Sequence, residues 1–128
     1  MQGPLATAIY LWWFLCLGLY VLLVIAFLVQ PTAATGWLYV KDASPKAIVE
    51  LNAFYLGNMT LVVVLLWRWR RAARRWLSLL MALNGLVMIY RCLLLVFFPE
   101  TVDARMLSYL GTEFVVAAVS GFLRYRSA

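Results

Sequence analysis

Three ionisable side chains, Glu50, Arg91 and Glu113, stand inside long apolar stretches of the chain. Even on the most lenient scale, a charge at the centre of a membrane-spanning helix costs about 2.5 to 3.5 kcal/mol, so each needs a physical reason to be there. An arginine fork set between two carboxylates supplies one, because guanidinium donors match carboxylate oxygens two at a time. Such a triad carries a formal charge of minus one, which leaves room for a shared proton or for a cationic or hydrogen-bonding ligand. Asn58, Asn84 and Tyr109 lie close enough along the chain to add hydrogen bonds to the same network. The plainer expectation is a structural polar clasp that fixes helix register in lipid, with a ligand or proton site as the alternative.

Counting side chains removes most other chemistry. Histidine is absent, which takes away the commonest haem ligand, the usual general base and most zinc, copper and iron ligand sets. Cys16 and Cys92 stand alone in apolar runs and read as small hydrophobes, not as a redox pair. The acidic residues Asp42, Glu50, Glu100, Asp103 and Glu113 are too few and too scattered for a carboxylate metal cage. There is no phosphate-binding loop, dinucleotide fingerprint or nucleophile elbow. The expectation is therefore a non-enzymatic chain with no metal and no resident cofactor, holding a lipid, quinone or pigment by contact at most. Asn58-Met59-Thr60 matches a glycosylation sequon, but it lies within an apolar run and out of reach.

The elements that must position these residues are membrane spans. Of 128 residues, 66% are hydrophobic and 12% charged, whereas a soluble domain is about half apolar and about a quarter charged. A spanning helix needs about 20 mostly apolar residues to cross roughly 30 Å of hydrocarbon. Four segments qualify, at about 5–29, 45–67, 76–98 and 103–123. The first has no charged side chain, no basic leader and too long an apolar run for a cleaved signal peptide, so it reads as an uncleaved signal anchor. Gln30 to Ser44, with Pro31, Gly36, Lys41 and Asp42, reads as a loop. Ser44-Pro45 predicts an N-cap followed by proline at the first helical position. Pro99 stops the third span, and Asp103 favours the start of the fourth. The fold class is all-α: a single-domain, antiparallel four-helix transmembrane bundle.

Depth and phase bring the charges together. At about 1.5 Å per residue, Glu50, Arg91 and Glu113 lie about 8, 10 and 15 Å below the same surface. Spacings of three, four and seven align Glu50, Phe54, Gly57, Asn58 and Leu61 on one helix face, Asn84, Met88, Arg91 and Leu95 on another, and Tyr109, Glu113, Ala117 and Ser120 on a third. All three faces are expected to turn inward. Ala117-x-x-x-Gly121 adds a small-residue step where a neighbouring helix can approach.

Orientation follows from Arg68, Arg70, Arg71, Arg74 and Arg75 between spans two and three, and from Arg124 and Arg126 after span four. Basic segments beside spans stay cytoplasmic, so both termini are expected there. Trp67, Trp69, Trp76 and Tyr125 flank the basic cluster, with Trp37 and Tyr39 in the opposite loop, as interfacial anchors. The net charge of +6 is concentrated in this cluster, which reads as a topology and anionic-lipid signal and not as a nucleic-acid surface.

The stretches SPKAIVELNAFYLGNMTLVVVLLW, NGLVMIYRCLLLVFFP and LSYLGTEFVVAAVSGFL resemble the DoxX-like group of small bacterial four-helix membrane proteins, many of them without known activity. The residues that carry the resemblance are Glu50, Ala53-Phe54-Tyr55, Arg91 after Gly85, and Glu113, across roughly Val24 to Leu123. The chain departs from that pattern at Asn52, where a basic residue is usual, and at Leu56-Gly57, where two glycines are. The resemblance implies a compact bundle in the bacterial inner membrane, with some relatives associated with membrane redox complexes. Small size, absent catalytic groups and an aromatic-rich outer surface, with Trp12, Trp13 and Phe14 turned outward, lead to the expectation of an accessory or structural subunit of a larger respiratory or photosynthetic assembly. Its partners would be membrane lipids and other membrane-protein subunits. The alternative is a binding or carrier module for a quinone or lipid in a polar cavity near Arg91.

Overall fold

The computed structural model describes residues 3–30, 32, 44–101 and 103–127. Among these, four helices are long and apolar enough to cross a membrane: α1 (Pro4–Val29), α2 (Pro45–Arg68), α3 (Ala73–Phe97) and α4 (Ala104–Arg126). All four spans fall where the apolar runs place them, within three residues at each end. Apart from Gln30, Thr32 and Ser44, the expected loop with Trp37, Tyr39, Lys41 and Asp42 lies outside the described residues.

The helix ends follow local chemistry. Ser44 Oγ accepts a hydrogen bond from the Ala47 amide at 3.1 Å, and Pro45 takes the first helical position, where its missing N–H is not needed. Asp103 Oδ1 accepts from the Met106 amide at 2.7 Å and starts α4 in the same way. α3 ends at Phe97, and Pro99–Thr101 forms a short 3-10 turn.

The contacts group the chain into two compact units, residues 10–70 and residues 71–128 with 1–9. In the first, each helix turns a narrow stripe inward. On α1 the stripe is Trp13, Cys16, Tyr20 and Phe27; on α2 it is Met59, Val62 and Leu66, continued by the half-buried Asn52 and Tyr55. Both stripes repeat at alternating steps of three and four residues, the spacing of a helix-packing seam.

Two side chains tie these helices together by serving each other's ends. The last carbonyls of a helix have no partner within it, and in hydrocarbon no water replaces one. The Trp13 indole N–H of α1 donates to the Leu66 carbonyl at 2.8 Å, within the last turn of α2. Asn52 of α2 donates its amide to the Phe27 carbonyl at 2.6 Å, within the last turn of α1. Ring contacts back both bonds, Trp13 against Trp67 at 6.1 Å and Phe27 against Tyr55 at 6.4 Å between centroids.

This arrangement corrects two expectations. The α2 face carrying Glu50, Phe54, Gly57 and Leu61 is exposed, and the inward face lies to its side. Trp13 is buried, so it is an internal fastener, whereas only Phe14 of the Trp12-Trp13-Phe14 run is exposed.

In the second unit, α3 turns Trp76, Leu77, Leu80, Asn84 and Arg91 inward, and α4 turns Met106, Glu113, Val116, Ser120 and Leu123. Trp76 was expected as an interfacial anchor, but it is almost wholly buried. Trp67 and Tyr125 are exposed as anchors should be, and Trp69 is half-buried. The small-residue step on α4 works as expected: a Cβ at Gly121 would stand 3.1 Å from Met81 Sδ, so glycine gives the α3 side chain its room.

Candidate functional site

The site is built on the facing stripes of α3 and α4. Arg91 stands six residues before the end of α3, and Glu113 nine residues after the start of α4. At about 1.5 Å per residue these are depths of about 9 and 14 Å within their helices. Arg91 Nε donates to Glu113 Oε1 at 2.7 Å, with side chains 0% and 6% exposed. The Tyr109 ring, one turn before Glu113 on α4, lies 5.0 Å from the Arg91 guanidinium carbon. The cation is thus held by a carboxylate and by an aromatic face, both from the neighbouring helix.

Of the six residues expected to form an intramembrane polar network, Arg91, Glu113 and Tyr109 are brought together. Asn84 is buried two turns before Arg91 on α3, and its amide donates to the Leu80 carbonyl at 2.9 Å. Asn58 is half-buried and donates to the Phe54 carbonyl of its own helix at 2.8 Å.

Glu50 is the correction. Its side chain is 65% exposed and pairs with Lys46 one turn earlier at 3.7 Å. The physical reason is position: Glu50 lies in the second turn of α2 on its exposed face, where Lys46 one turn earlier supplies a cation at i, i+4 spacing. Burial would remove both advantages.

Arg68, Arg70, Arg71, Arg74 and Arg75 are all exposed, as a headgroup-level cluster requires. Arg70 is engaged locally, with Nη1 donating to the Trp67 carbonyl at 2.9 Å and its guanidinium 4.6 Å from the Trp67 ring.

Sequence reasoning missed Asn52 and Trp13, whose bonds to helix-end carbonyls have only a weak signal: a polar atom at the correct heptad position near the end of a span. It also missed Ser78. The Ser78 hydroxyl donates to the Arg74 carbonyl at 2.6 Å and accepts from Arg124 Nε, which ties the end of α4 to the start of α3.

Comparison with protein-family models, curated proteins and solved structures returned no match.

Proposed function

We propose that the chain is a non-enzymatic, multi-pass subunit that supports a larger assembly, such as a respiratory or photosynthetic complex, in a bacterial inner membrane. One observation carries this reading. The deep charges close on one another within the α3/α4 pair, while only 17% to 28% of the most apolar window of each span is buried. What remains to be presented at membrane depth is apolar and aromatic surface, including Phe14, Phe54 and Phe114. Such surface is suited to lipid and to other helices, not to a soluble substrate.

Within each unit the two long helices run antiparallel, α1 against α2 and α3 against α4, and both termini are cytoplasmic. Support comes from pairings that join the first half of one helix to the second half of its neighbour, Trp13 to Leu66 and Phe27 to Asn52 in one unit, Ser78 to Arg124 and Arg91 to Glu113 in the other. The resemblance to the DoxX-like group is in keeping with this reading. Photo-crosslinkers placed at Phe14, Phe54 and Phe114 in native membranes test it. Capture of the same partner subunit from defined positions is expected, and capture of lipid alone from all three would contradict it.

A second reading has one observation in its favour. Glu113 Oε2 is buried and has no hydrogen-bond partner among the described residues. A carboxylate oxygen in that state suits the hydroxyl of a small hydrophobic molecule such as a quinol or lipid. A molecule retained through mild purification and lost in Glu113→Gln would favour this reading, and the empty wild-type protein would remove it.

A further inference from the structure

We propose that the basic end of the α3/α4 pair is a binding surface for the phosphate headgroups of anionic phospholipids. Two clusters separated in sequence supply the charge, Arg71, Arg74 and Arg75 before and at the start of α3, and Arg124 and Arg126 at the end of α4. The Ser78 hydroxyl brings them to one place, because it bonds the Arg74 carbonyl and accepts from Arg124 Nε.

Arg71, Arg74, Arg75 and Arg126 are exposed, and no described carboxylate forms an ion pair with any of them. Glu100 and Asp103 belong to the other end of the same pair, beside the start of α4. The guanidinium forks therefore face outward with their charge uncompensated. Planar forks of this kind grip phosphate oxygens two at a time, which a lysine cannot do.

The location selects the source of the phosphate. These arginines begin where two apolar spans end, and the exposed Phe122 and Tyr125 alternate with Arg124 and Arg126 on α4. Aromatic and basic side chains interleaved at a span end sit at headgroup depth. The Ala72 side chain supplies no cap to α3, and although the Arg75 amide bonds the Ala72 carbonyl at 2.9 Å, the Ala73 and Arg74 amides are left for water or for the same anionic oxygens. A soluble polyanion would meet the charge but not the aromatic rim.

In the test, the purified full chain in mild detergent is offered mixed phosphatidylglycerol and phosphatidylcholine, and retained lipid is counted by native mass spectrometry. Preferential retention of phosphatidylglycerol is expected. The triple variant Arg71→Ala, Arg74→Ala, Arg75→Ala should lose that preference, at roughly fivefold per arginine, and triple replacement by lysine should restore only part of it. Arg126→Ala alone, which leaves the helix pairing untouched, should show a single step of roughly fivefold. Equal retention of the two lipids by the wild type would overturn the proposal, as would an unchanged preference in either alanine variant. Displacement of the retained lipid by excess inorganic phosphate would overturn the lipid assignment in favour of free phosphate.

Discussion

Arg91 of α3 and Glu113 of α4 form an ion pair of 2.7 Å with both side chains withdrawn from the surface. At that depth neither charge has water to fall back on, so each is the other's solvation. Removing one strands the other. Arg91→Met or Glu113→Gln is therefore expected to destabilise the folded protein in detergent by about 3 to 5 kcal/mol. The double variant Arg91→Met, Glu113→Leu should recover much of that loss, because an apolar pair of similar volume strands nothing. Thermal unfolding of the four proteins checks this, and single variants as stable as the wild type would refute the pair.

Two Trp→Phe changes should differ in cost. The Trp13 indole satisfies the Leu66 carbonyl, so Trp13→Phe leaves that oxygen unpaired and should cost about 1 to 3 kcal/mol. Trp76 Nε1 is buried with no hydrogen-bond partner among the described residues. Trp76→Phe should therefore cost less than Trp13→Phe, since it removes a donor that does no bonding while keeping most of the ring. Chemical unfolding of both variants side by side decides it, and the reverse order would contradict the assignment.

Gly121 is a packing residue. Gly121→Leu should weaken the α3/α4 pair by about 1 to 3 kcal/mol, because Met81 Sδ already stands 3.1 Å from where a Cβ would be. Met81→Ala in the same chain should restore part of the loss by vacating that space. Melting temperatures that are independent of one another in the double-mutant cycle would show that the two positions do not touch.

The arginines should also set orientation. A reporter fused after Ala128 is expected to read as cytoplasmic in the wild type. Neutralising Arg68, Arg70, Arg71, Arg74 and Arg75 together should give a mixed population, because Arg124 and Arg126 on one side are then matched by Lys41, Lys46 and Arg105 on the other. A uniformly cytoplasmic reporter in that variant would mean that the cluster does not decide topology.

Much of this was legible in the sequence, for reasons that differ by residue. Ser44-Pro45 and Asp103 act through bonds spanning three residues, so local sequence carries the whole signal. Arg91 and Glu113 were legible because charges in an apolar span have few affordable partners, and phase placed each on its stripe. Glu50 misled because its nearest remedy was local, Lys46 one turn away, and not a distant arginine. With that charge taken as the inward marker, the α2 face came out wrong. Nothing in so uniformly apolar a helix separates Met59 and Val62 from Leu61 and Val64, which are respectively buried and exposed. The same uniformity hid Trp13 and Trp76, since a tryptophan near a span end fits an interfacial belt as well as a packed seam.

The most direct test of the subunit reading is gentle extraction of the chain from its own membranes, followed by a native gel and mass spectrometry of all that migrates with it. Recovery in one large complex of fixed composition is the expected result. Recovery as a lone monomer, with no co-migrating protein under conditions that keep other membrane complexes whole, would contradict it.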